Sequence, residues 1–70
     1  MAMNGVAVTD LKAEMGRWDI TQTELAEELK VGQTRVSFVL ADALTVRQNW
    51  MDAVEAIAAR KRERAAVEAA

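Results

Sequence analysis

The residues able to do chemistry in this chain fall in two places. Glu24, Glu27 and Glu28 cluster within five positions, and Thr34, Arg35, Ser37 and Phe38 follow shortly after. Three carboxylates suggest acid–base work or a metal, but both need companions. The chain contains no Cys, no His and a single Ser, so no nucleophile and base can be paired and no soft metal ligand exists. Glu24, Glu27 and Glu28 therefore read as a cap and a solvated helix face. No enzyme, no cofactor and no metal site is expected. The second group differs in kind: hydroxyls, a guanidinium and one aromatic ring, the chemistry of recognition rather than catalysis. At 100° per residue Thr34, Ser37, Phe38 and Ala41 share one side of a helix, with Arg35 at its flank. Val36, Val39, Leu40 and Ala43 take the other side. A phenyl ring on the wet face needs something to touch.

Elements to position these residues are legible in the pattern. With no Pro, three Gly and apolar residues recurring at three and four, the chain reads as all-α. It is a small domain of four or five helices ending in a long one. At 70 residues and 51% hydrophobic it supports one core and no second domain. Residues 1–8 read as a flexible lead-in, 9–59 as the folded domain and 60–70 as a charged helical extension. No strand is expected; the nearest candidate, Val6 to Val8, has no partner in view.

A first helix is predicted from Asp10 to about Arg17, capped by Thr9, with Gly16 and the following Trp-Asp-Ile marking a turn. The second has the strongest start signal: Thr21 as cap, Glu24 reaching back to the Thr21 amide, and Ile20 with Leu25 at the spacing of a hydrophobic staple. A third is expected from near Gly32 to about Ala43, with Val31 and Val36 again at staple spacing. Thr45 and Gln48 suggest another capping box opening a fourth helix from Val46, whose buried stripe is Val46, Trp50, Ala53, Val54 and Ile57. Trp18 and Trp50 are read as core anchors.

From Gln22 to Leu40 the sequence resembles the helix-turn-helix of the lambda-repressor-like (Cro/CI, Xre) DNA-binding family. "QTELAEEL" matches the supporting helix, Val31 follows the turn, and "QTRVSFVL" matches the recognition helix. Ala26 falls where only a small side chain fits between the two, and Leu25, Leu29, Val31, Val36 and Val39 fall on core positions. The match covers less than half the chain. It departs at Lys30, where the family usually carries Gly. Either Lys30 adopts a left-handed backbone at about 1 kcal/mol, or the turn shifts toward Gly32, which also stands where Ser or Thr usually caps the next helix.

The resemblance implies that Gln33, Thr34, Ser37 and Phe38 face bases in the major groove and that Gln22 meets a phosphate. Gln33 suits adenine, Thr34 and Ser37 several base edges, Phe38 a thymine methyl, and Arg35 a guanine or phosphate. The expected function is a Cro-like or repressor-like regulator of the phage or mobile-element type, binding operator DNA as a homodimer through the C-terminal helix. The alternative is a protein-interaction module, an inhibitor or antitoxin-like adapter on the same scaffold. Net charge of −2 weighs against DNA, yet the acids crowd Asp10 to Glu28, and a basic cluster, Arg60, Lys61, Arg62 and Arg64, follows near the end. That cluster reads as a solvated helix end or a DNA clamp. With no membrane-length apolar run and no signal pattern, a soluble cytoplasmic protein is expected.

Overall fold

The computed structural model describes residues 5–69. It is mostly helical, with the order β1 (Gly5–Ala7), α1 (Val8–Arg17), α2 (Gln22–Leu29), α3 (Gln33–Asp42), β2 (Thr45–Arg47) and α4 (Gln48–Ala69). No helix among the described residues is long and apolar enough to cross a membrane.

The small antiparallel sheet departs from the expectation of no strand. Gly5 pairs with Arg47, Val6 with Val46 and Ala7 with Thr45. Each strand is too short for a period of two to show, and the partners are separated along the chain by three helices. Residues 5–8 are consequently part of the fold rather than a lead-in, while residues 1–4 lie outside the described residues. The same pairing moves the start of α1. Helix begins at Val8, two residues before Asp10, and the Val8 amide donates to the Leu44 carbonyl at 2.9 Å. One of the first-turn amides that have no partner within the helix is met from the neighbouring segment. Thr9 is therefore an exposed first-turn residue, and no side chain caps the helix.

The expected capping box at Thr45 and Gln48 is also displaced by β2. Thr45 lies in the strand, Val46 is buried there rather than on a helix, and Gln48 Nε2 donates instead to Asp52 Oδ1 at 3.1 Å. From Gln48 a single 22-residue helix runs to Ala69, roughly 33 Å at 1.5 Å per residue. The charged 60–69 segment thus continues α4 without a break.

One fully buried residue from each helix forms the centre of the core: Leu11, Leu25, Val36 and Val54. Val8, Met15, Ile20, Ala26, Leu40, Val46, Ala53, Ile57 and Ala58 surround them. Each Val, Leu, Ile or Met side chain among them contributes about 1.5 to 3 kcal/mol by leaving water. α2 packs on both α3 and α4, and α1 on α4 and β1. Trp18 and Trp50 sit at the core's edge, half-buried, rather than at its centre.

Candidate nucleic-acid interface

α2 begins as its sequence predicts. The Glu24 amide donates to Thr21 Oγ1 at 3.1 Å, and the Thr21 amide donates to Glu24 Oε1 at 2.8 Å. Two amides at the helix start are satisfied reciprocally, and Ile20 and Leu25 are both buried beside them. The helix ends on Lys30, with φ 61° and ψ 42°. The left-handed backbone is taken by lysine itself; Gly32 is extended at φ −72° and serves as the residue before α3. The Lys30 amide donates to the Glu27 carbonyl at 3.3 Å and the Val31 amide to the Ala26 carbonyl at 3.0 Å, the double closure of a Schellman turn. α1 ends in the same way, with Asp19 at φ 55°, its amide on the Gly16 carbonyl and the Ile20 amide on the Met15 carbonyl.

This turn delivers Gln33 to the exposed start of α3 and sets it beside the start of α2. Gln22, Gln33, Thr34, Ser37, Phe38 and Ala41 line one open depression of about 500 Å3. All six are exposed, Phe38 by 69%. Val36 and Leu40 are buried on the opposite side of α3. Five of the six residues singled out in the sequence are thus neighbours on one face. Arg35 is the sixth, and it points elsewhere. It lines a different cleft with Arg47, over a floor of Leu29, Val31, Val39, Ala43, Val46 and Trp50. Leu29, Val31 and Val39, expected in the core, are half-buried because they face this cleft.

The electrostatics of α2 were not visible in the sequence. Arg60 Nη2 meets Glu28 Oε1 at 2.6 Å, and Lys61 Nζ meets Glu24 Oε1 at 3.1 Å and the Asp19 carbonyl at 2.8 Å. Two of the four cations in the basic cluster are therefore engaged by α2 and its approach, and the carboxylates they meet are not merely solvated. The available signal was two oppositely charged runs, but which helix faces which depends on packing. The Glu24 carboxyl is held below its ordinary value, chiefly by the hydrogen bond from the Thr21 amide. Partial burial opposes this, and Lys61 reinforces it.

Comparison with protein-family models, with curated proteins and with solved structures gives no match to this chain.

Proposed function

We propose that this protein is a sequence-reading DNA-binding regulator built on a lambda-repressor-like helix-turn-helix, in which α2 supports and α3 enters the major groove. The observation that carries this reading is the convergence of Gln22, Gln33, Thr34, Ser37 and Phe38 on one exposed face at the start of two helices. Its chemistry suits a base edge. Gln33 can pair with adenine through both amide atoms, the two hydroxyls can donate or accept, and Phe38 can cover a thymine methyl. Gln22 and the first amides of α2 face a backbone phosphate. Arg35 stays on the flank, within reach of a phosphate or a protein surface. The regulator acts as a homodimer on a two-fold operator, because a single module of this size touches too few bases to discriminate. In type it belongs with Cro-like repressors of phages and mobile elements.

The acidic balance fits weak, salt-sensitive binding supported by few phosphate contacts. The test is fluorescence anisotropy with duplex DNA from upstream of the gene and with random duplex, titrated over salt. Preference for the upstream fragment, lost in Phe38→Ala and Thr34→Ala, is the expected result. No binding at low salt would reject the reading.

A second reading, a protein-interaction module on the same scaffold, is favoured by one observation. Phe38 and Leu44 are large apolar side chains left 69% and 87% exposed. In that case no duplex binds, and Phe38→Ala abolishes capture of a protein partner instead.

A further inference from the structure

A second cleft is not part of the face described above. It spans about 620 Å3 between α2, α3, β2 and the first turn of α4. Its floor is apolar: Leu29, Val31, Val39, Ala43, Val46 and Trp50. Its polar lining includes two guanidinium groups, Arg35 and Arg47, and no carboxylate, although acids outnumber bases in the chain. Among the described residues neither arginine forms an ion pair. The cleft therefore asks for an apolar side chain accompanied by a negative charge.

Such a pair stands on the adjoining surface of the same molecule. Leu44, between cleft-lining Ala43 and Thr45, is 87% exposed, the most exposed of the large apolar side chains among the described residues. Its backbone is fixed, since the Leu44 carbonyl accepts from the Val8 amide. Two residues earlier Asp42 is exposed at the end of α3 and forms no ion pair among the described residues. A protruding leucine with a free carboxylate thus borders a hollow with a matching floor and matching charge.

We infer that the occupant of this cleft is a second copy of the chain, with Leu44 of each protomer seated in the other's cleft and Asp42 of each facing the other's Arg35 and Arg47. A knob and its complementary hollow on one surface patch are what a two-fold, isologous contact requires, and that symmetry closes the assembly at two. The last turns of α4, the dimer element expected from the sequence, offer less: Val67 is their single large apolar side chain, set among Arg62, Glu63, Arg64 and Glu68. In this dimer Arg35 serves the interface rather than a base edge, which agrees with its separation from Thr34 and Phe38. The inference names the interface of the proposed DNA reader, and it rests on that reading only for the use made of the dimer.

The test is the association state without DNA, by sedimentation equilibrium from about 1 to 200 µM. Wild-type chain, Leu44→Glu, Asp42→Arg, the charge exchange Asp42→Arg with Arg35→Asp and Arg47→Asp, and Val67→Glu are compared, with circular dichroism to confirm folding. A dimer that forms within this concentration range is the expected result. Leu44→Glu and Asp42→Arg should each weaken it at least about tenfold, as for centrally placed contacts. The charge exchange should restore it, and Val67→Glu should leave it unchanged. A monomeric wild type, or a dimer indifferent to Leu44→Glu and Asp42→Arg, overturns the inference. A dimer broken by Val67→Glu alone returns the interface to α4. Because no DNA is present, these results stand apart from the anisotropy assay: a dimer that binds no duplex sinks the DNA reading and leaves the interface intact.

Discussion

Lys61 Nζ lies 3.1 Å from Glu24 Oε1 and 2.8 Å from the Asp19 carbonyl, joining the far part of α4 to the turn that launches α2. Glu24 thus has two tasks, completing the cap with Thr21 and anchoring α4. Because its folded carboxyl titrates below the ordinary value of 4.5, its contribution is present above that pH and is lost as pH falls through the lower folded value. Glu24→Gln should therefore be less stable than wild type near neutrality, and the gap should close as pH falls through 4.5 and the lower folded value. Urea denaturation of both proteins at several pH values checks this; a gap that widens in acid contradicts the assignment.

Lys30 holds a left-handed backbone that glycine adopts without the steric penalty of a side chain. Lys30→Gly should raise stability by up to about 1 kcal/mol, some 4 to 8 °C in melting temperature for a domain of this size. Lys30→Val, branched at Cβ, should lower it. Thermal melts followed by circular dichroism decide, and an unchanged Lys30→Gly would mean that lysine carries a compensating contact.

Ala26 is 4% exposed, beside fully buried Leu25. Ala26→Leu adds volume where none is free and should cost about 1 to 3 kcal/mol. Leu25→Ala should cost about 2 to 5 kcal/mol by leaving a cavity. Denaturant midpoints measure both. An Ala26→Leu variant of wild-type stability would show that α2 and α3 are less closely packed than described.

Gln33→Ala and Thr34→Ala remove side chains that are wholly on the wet side of α3. Each should leave stability within about 0.5 kcal/mol of wild type. Under the proposed function each also lowers discrimination between operator and random duplex by about 1 to 3 kcal/mol. Anisotropy titrations beside thermal melts separate the two effects, and a variant that unfolds moves its residue from the recognition face to the core.

Lys61→Ala and Arg60→Ala should show how far α4 is held to α2. The pairs are partly exposed, with side-chain exposures of 28% for Lys61 and 62% for Arg60, so each is worth roughly 0 to 1 kcal/mol. Lys61→Ala should be the more costly, since it takes a partner from both the Asp19 carbonyl and the Glu24 carboxylate, which keeps only the Thr21 amide. Hydrogen exchange should report faster opening in the second half of α4, with the buried turn around Val54 unaffected.

Local chemistry alone determined α2 and α3, while the turn between them stayed open between Lys30 and Gly32 until the structure placed the left-handed residue at Lys30. A cap four residues wide, a staple and a 3.6-residue period act within one or two helical turns, so Thr21, Glu24, Ile20 and Leu25 could be placed from their order in the chain. The exposed face with Gln33, Thr34, Ser37 and Phe38 followed from the same period and the family resemblance. Tertiary structure decided the rest. Val6 and Val46 make a strand pair only because three helices fold between them, and that pairing displaced the Thr9 and Thr45 caps by satisfying the backbone another way. Likewise, whether Lys61 met solvent, DNA or Glu24 was not written in its neighbours; it was settled by α4 crossing α2. Arg35 was assigned to α3 correctly, but the side on which α2, β2 and α4 leave a cleft decided that it stands with Arg47 and not with Phe38. Short-range hydrogen bonds and periodicity are encoded along the chain, whereas charge partners and clefts are properties of surfaces that packing alone brings together.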